Sequence, residues 1–151
     1  MKRKNILRYI VLPLLVIGAA AAIYIYKEYN RKQKDTASLK PAYSVTASSL
    51  VSEFEANEKA SNTKYLDKVI RVDGMVKQLE KDDKGFYTII LGDTASMLSV
   101  RCSIDSIHTS EVAAVKQGSV IAVKGICSGF NADEMLGSDV ILIRSVVDFK
   151  K

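Results

Sequence analysis

Apolar residues change their period along this chain, and each change marks a different kind of element. Between Tyr9 and Tyr26 the pattern is a continuous run of 18 residues without a charge. Lys2, Arg3, Lys4 and Arg8 precede it, and Lys27, Arg31, Lys32 and Lys34 follow it. Such a run can just span the hydrocarbon of a bilayer, since roughly 18–20 apolar residues at about 1.5 Å rise suffice as a helix. Tyr9 at one edge and Tyr24, Tyr26 and Tyr29 at the other suit the two headgroup zones. The pattern predicts a basic N-terminus over residues 1–8 and a single transmembrane helix over 9–26. Pro13 falls in its first half, where a membrane helix tolerates a kink. The alternative is a cleaved signal peptide, for which Ala20-Ala21-Ala22 offers a small-x-small site. Ile23, Tyr24, Ile25 and Tyr26 extend the run beyond the usual signal core and favour an uncleaved anchor.

Residues 27–45 are polar and charged without sustained periodicity and read as a linker. From Thr46, a good N-cap type, the period becomes helical. Leu50, Phe54, Asn57 and Ala60 share one face, Val51 lies beside them, and Glu53, Glu55 and Glu58 point elsewhere. The Ser61-Asn62-Thr63 cluster is expected to end this helix. From Lys68 the period falls to two. Ile70, Val72, Gly74 and Val76 alternate with Arg71 and Asp73, as a half-buried strand requires. The turn Lys81-Asp82-Asp83-Lys84-Gly85 leads into a second strand, Phe86 to Leu91, and Gly92-Asp93 turns again. Leu98, Val100, Cys102 and Ile104 alternate in a third. A short helix is expected over roughly 110–117, with Glu111 in its first turn, Lys116 in its last and Gly118 just beyond. Ile121, Val123, Gly125 and Cys127 form a fourth strand and residues 140–147 a fifth, around a turn-rich loop at 128–139.

Five short strands with a helix between the third and fourth is the order of an OB-fold barrel. The expected fold is therefore β-rich. It is a five-stranded OB-like barrel over 46–151, with an N-terminal helix, preceded by a single transmembrane helix. Gly74 and Gly125, at equivalent positions in strands one and four, would suit bulges that let a small barrel curl.

Charge sharpens this picture. The chain carries +5 overall. Residues 1–35 hold 8 of the 22 Lys and Arg and 2 of the 17 Asp and Glu, which leaves 14 and 15 for residues 36–151. The basicity is juxtamembrane and suits anionic headgroups, while the remaining −1 gives no positive field to steer a polyanion. Eight N-terminal residues with four cations are expected to stay cytoplasmic, which sends the C-terminal domain outside, to the periplasm or cell surface.

These residues also resemble the tRNA-anti-like OB-fold family of small bacterial proteins, which often carry an N-terminal membrane segment. The likeness rests on Leu50, Phe54, Asn57-Glu58 and Ala60, then Tyr65, Lys68, Ile70, Val72, Gly74 and Val76. It continues through Val100 and Cys102, then Gly118, Ile121, Val123, Gly125, Cys127 and Gly129, and ends at Val140 and Leu142. The resemblance covers about residues 46–148 and implies the fold. It brings no catalytic residue with it.

Candidate chemistry is sparse. Outside the cytoplasm a disulfide between Cys102 and Cys127 is chemically allowed, and two buried thiols packing as small hydrophobes is the alternative. Two distant cysteines and one histidine do not make a metal-ligand set. His108 reads as an exposed loop residue, and no Gly-x-Ser-x-Gly elbow exists for it to serve. Ser61-x-x-Lys64 lacks its companion motifs. Asp82-Asp83 and Asp133-Glu134 read as solvated turn acids. No enzyme activity, cofactor or metal is expected. What remains is the surface OB domains use for ligands, the outer face of strands two and three with its loops. Here that face is expected to show Phe86, Thr88, Ile90 and Arg101, with Phe130 on the loop between strands four and five. One Arg and few aromatics are thin for base stacking. The expected function is a membrane-anchored binding module with a protein, peptide or envelope-glycan partner. Single-stranded nucleic-acid binding is the alternative, with nucleic acid the less favoured partner.

Overall fold

A computed structural model describes residues 3–29, 34–133 and 137–149. The chain divides into two compact units, residues 1–34 and residues 35–151.

The first unit is one helix, α1 (Arg3–Tyr29), which continues through Pro13. From Leu14 onward its side chains are exposed on every face, including Leu14 to Ile17 and Ile23 to Tyr26. Among the described residues no helix is long and apolar enough to cross a membrane. The side chains of residues 9–13, where the expected span begins, lie outside that description. The transmembrane span expected over 9–26 is thus not shown by the structure.

The second unit is a closed mixed barrel. Its strands are β1 (Tyr43–Thr46), β2 (Val69–Lys81), β3 (Tyr87–Leu91), β4 (Ser99–Ile104), β5 (Val120–Asn131) and β6 (Asp139–Val147). The sheet order is β1-β2-β3-β4-β6-β5, and β5 returns to pair with β2. Strands β4 and β6 run parallel and the other barrel pairs antiparallel, which is the OB arrangement. Alternation delivers Ile70, Val72, Val76, Val100, Cys102, Val123, Cys127, Val140 and Leu142 to a core in which each is fully buried. Two helices, α2 (Ala47–Ala56) and α3 (Glu58–Tyr65), pack on this core through Leu50, Val51, Phe54 and Tyr65.

Several elements differ from the sequence reading. Residues 43–45, read as the end of the linker, form β1 together with Thr46; this sixth strand lies parallel to β2 with Tyr43 opposite Ile70. Four residues are too few for alternation to announce a strand. Upstream, residues 36–38 form a 3-10 turn capped by Asp35, and Thr36 is buried. The helical region breaks at Asn57, not at Ser61. Asn57 leaves helical geometry (φ −161°, ψ 88°) and its side chain accepts from the Ala60 amide to start α3. Ser61 then sits inside α3, buried, with its hydroxyl donating to the Glu53 carbonyl at 2.9 Å. The helix expected near 110–117 is a 3-10 segment over Ser106–Ala114, because Asp105 caps it five residues earlier than Ser110 would.

The two strand glycines also part company. Gly125 coincides with a register shift between β5 and β6. At Gly74 the β2–β5 register is continuous, and the glycine is needed for close approach instead. A Cβ there would lie 3.0 Å from the Ala47 Cβ and 3.2 Å from the Leu91 Cβ, so it lets α2 settle onto the barrel.

Candidate binding face

Strand β2 is long enough to serve two neighbours, pairing with β5 up to Met75 and with β3 from Val76. A register shift between Val76 and Gln78 turns its second half outward. Gln78 then lies opposite Ile90 and Glu80 opposite Thr88, while Ile90 and Thr88 in turn face Arg101 and Ser103 on β4. Register alone therefore collects these residues on one outer surface, since directly opposed residues share a face.

A depression of about 400 Å³ opens on this surface. Lys77, Gln78, Glu80, Ile90, Ser99, Arg101 and Asp139 line it, and the 94–97 loop forms its rim. Local hydrogen bonds hold that rim. Asp93 accepts from the Ala95 amide at 2.9 Å, the Leu98 amide donates to Ser96 Oγ at 3.0 Å, and Lys77 Nζ donates to the Ser96 carbonyl at 2.6 Å. Ile90, only 5% exposed, forms a buried apolar floor.

Electrostatically the face is balanced. Arg101 donates to Glu80 at 2.7 Å and lies 3.8 Å from an Asp139 oxygen, while Ser99 donates to the other Asp139 oxygen. One guanidinium is thus shared between two carboxylates, and the nearby Lys77 is spent on a carbonyl. Such a face can recognise a neutral polar or zwitterionic chain by hydrogen bonding around an apolar floor. Among the described lining residues both cations, Arg101 and Lys77, already have partners.

The residues expected here divide. Thr88, Ile90 and Arg101 meet on the face. Phe86 sits beside it, 49% exposed, at the end of the β2–β3 turn, where its amide donates to Asp82 Oδ1 at 2.8 Å. Phe130 does not join. It belongs to β5 and stacks on Phe54 with ring centroids 5.3 Å apart, sealing the core beneath α2. The Ser128-Gly129 pair that reads as a turn is absorbed by a register shift between Cys127 and Gly129, so the strand runs on to Asn131. Glu80 and Asp139 are the lining residues that sequence reasoning missed.

Other candidates find structural roles. Asp82 Oδ1 accepts from the Lys84 and Phe86 amides and so shapes its own turn. In the second acidic pair, Glu134 lies outside the described residues. Lys64 Nζ bonds Glu53 at 2.8 Å. His108 is not an exposed loop residue: its side chain is 14% exposed and both ring nitrogens meet carboxylates.

Cys102 and Cys127 are buried free thiols, and burial pushes both thiol pKa values up. Both are register partners of Leu142, one on β4 and one on β5, with β6 between them. Two strand spacings of about 4.8 Å separate their backbones by roughly 10 Å, beyond the ~7 Å limit for a bridge. Their placement opposes the disulfide that an extracytoplasmic domain would allow. Among the described residues no cluster of three or more His, Cys, Asp or Glu is placed to hold a metal ion.

A family model, tRNA_anti-like, matches residues 1–145, α1 and barrel together. The chain belongs to the tRNA_anti-like family. Among solved structures, a Klebsiella pneumoniae lipoprotein, described as a proposed nucleic-acid-binding protein, matches with a TM-score of 0.56 and 17% identity. The match covers 78% of this chain and 99% of that one, and it shows the shared fold. The asparaginyl-tRNA synthetase of Pyrococcus horikoshii matches with a TM-score of 0.39 and 19% identity, over 56% of this chain and 20% of the synthetase. Curated protein sequences give no match.

Proposed function

We propose that this member of the tRNA_anti-like family is a membrane-tethered, non-catalytic binding module. Its outer β2–β3–β4 face takes a protein, peptide or envelope-glycan segment outside the cytoplasm. The observation that carries this reading is Arg101 held by Glu80 and Asp139 over the Ile90 floor. Neutralised in place, that guanidinium presents donor and acceptor groups together, which suits polar chains that lack a strong charge.

Tethering is supported by the charge-free run from Tyr9 to Tyr26, which at about 1.5 Å per residue reaches roughly 27 Å, close to a bilayer's hydrocarbon thickness. Helix α1 covers this run, and an apolar helix without a polar face needs a core or a membrane around it. Protease added to spheroplasts is expected to remove the barrel; a barrel that resists until lysis would overturn the extracytoplasmic placement.

Single-stranded nucleic acid is the second reading. The description of the Klebsiella lipoprotein favours it and runs against the expectation that nucleic acid is the less favoured partner. A photocrosslinker at Thr88 in the full-length protein separates the two readings. An adduct sensitive to protease or glycosidase and lost in Arg101→Ala supports the proposal, whereas a nuclease-sensitive adduct supports nucleic acid.

A further inference from the structure

The only histidine of the chain lies between two carboxylates. His108 Nε2 is 2.9 Å from Asp35 Oδ1, and Nδ1 is 2.9 Å from Glu111 Oε1. A neutral imidazole carries one N–H, so it can donate to only one of the two; the imidazolium donates to both. The ring cannot readily turn aside. Its amide donates to the Asp105 carbonyl at 2.9 Å, within the 3-10 segment that Asp105 caps, and its side chain is largely buried.

The two partners are not equivalent. Glu111 lies three residues along the same segment and stays beside the ring in either state. Asp35 lies 73 residues away, at the start of the barrel unit, where it caps the turn that brings the polypeptide onto the barrel. We propose that His108 is a pH-operated clasp on residues 35–39, fastened when the imidazole is doubly protonated and loosened when it gives a proton to solvent.

The surrounding charges fit that role. From the 3-10 segment the ring meets Glu111, with Asp105 nearby, and from the lead-in turn it meets Asp35. From β6, Arg144 pairs with Asp105 at 3.6 Å. From β5, Lys124 donates to the Ala37 carbonyl at 2.7 Å, which keeps a second hold on the same segment. Desolvation alone would lower the histidine pKa, yet the hydrogen bonds to Asp35 and Glu111 outweigh it and raise the value above 6.5. A raised folded pKa gives stability that is complete below the ordinary histidine value and is lost as pH climbs through the folded one. The clasp is therefore closed in mildly acidic surroundings and opens on the alkaline side of 6.5. Opening gives the lead-in segment freedom to peel from the barrel and lengthens the tether.

The test uses the full chain in detergent micelles. The single imidazole gives one NMR titration, expected above 6.5 and lowered towards it in Asp35→Asn. Hydrogen exchange at the Ala37, Ser38 and Leu39 amides, corrected for intrinsic rate, is expected to speed up between about pH 5.5 and 8.5. Each unit of raised pKa should supply roughly tenfold. In His108→Gln that pH dependence disappears; if this variant does not fold, Asp35→Asn, which keeps the ring, must reduce it. A histidine titrating at or below 6.5, or lead-in exchange indifferent to pH, would overturn the clasp.

Discussion

Arg101 reaches across β3 to bond Glu80 at 2.7 Å, over a distance of 21 residues in sequence. Both side chains are more than a third exposed, so the pair adds little stability, on the order of 0–1 kcal/mol. Arg101→Ala should barely move the thermal midpoint but should abolish partner capture, because Glu80 and Asp139 are left as a bare acidic pair. A drop of many degrees would instead make Arg101 a structural residue.

Gly125 stands at the register shift between β5 and β6. A Cβ there would meet Ser145 Oγ at 2.5 Å, Leu142 Cβ at 3.1 Å and Ser145 Cβ at 3.3 Å. The hydroxyl can rotate away, but the two Cβ atoms are fixed by the barrel. Gly125→Ala is expected to cost about 1–3 kcal/mol by overpacking, read as a lower urea midpoint at unchanged slope. An unchanged midpoint would mean that β6 yields freely.

With Leu142 between them, the cysteines should stay unbridged. Protein unfolded without reductant is expected to take up two equivalents of a thiol probe, while the native protein reacts slowly at both buried thiols. No uptake on unfolding would show a bridge and require a different β4–β6–β5 register.

Glu53 supplies an acid-side dependence. The hydrogen bond from Lys64 chiefly, with Tyr65 Oη at 2.9 Å adding to it, holds its carboxyl below 4.5. A depressed value gives stability present above about 4.5 and lost as pH falls through the folded pKa. Glu53→Gln should flatten the acid limb of a stability–pH curve and lower the plateau by less than about 1 kcal/mol, since the pair is exposed. An acid limb as steep as in the parent would assign that loss to other carboxylates.

Period-two alternation was enough to find the five barrel strands and most of their inward residues, because a closed barrel buries one face of each strand. It was not enough for β1, whose four residues are held by pairing with β2. Bulges hid the rest. The shift after Val76 carries β2 out to Lys81, and the shift at Ser128 carries β5 past Phe130, so Glu80 joins the outer face and Phe130 packs on Phe54 instead. Thr88, Ile90 and Arg101 were legible as alternate positions on neighbouring strands. Their carboxylate partners were not, because only cross-strand register brings Glu80 and Asp139 to Arg101. His108 reads as exposed from sequence for the same reason, its decisive neighbour Asp35 being 73 residues away.

The affinity of the barrel unit for short single-stranded DNA or RNA across a salt series tests the central claim most directly. Neutralising phosphates requires free Lys and Arg, and binding then weakens by nearly one log unit per log unit of salt for each contact. With Arg101 paired and residues 36–151 at −1, binding at physiological salt is expected to be weaker than about 100 µM. Any tighter binding by the full chain should vanish when residues 1–35 are removed. Low-micromolar, steeply salt-dependent binding by the barrel alone, lost in Phe86→Ala or Arg101→Ala, would contradict the account and make nucleic acid the ligand of this face.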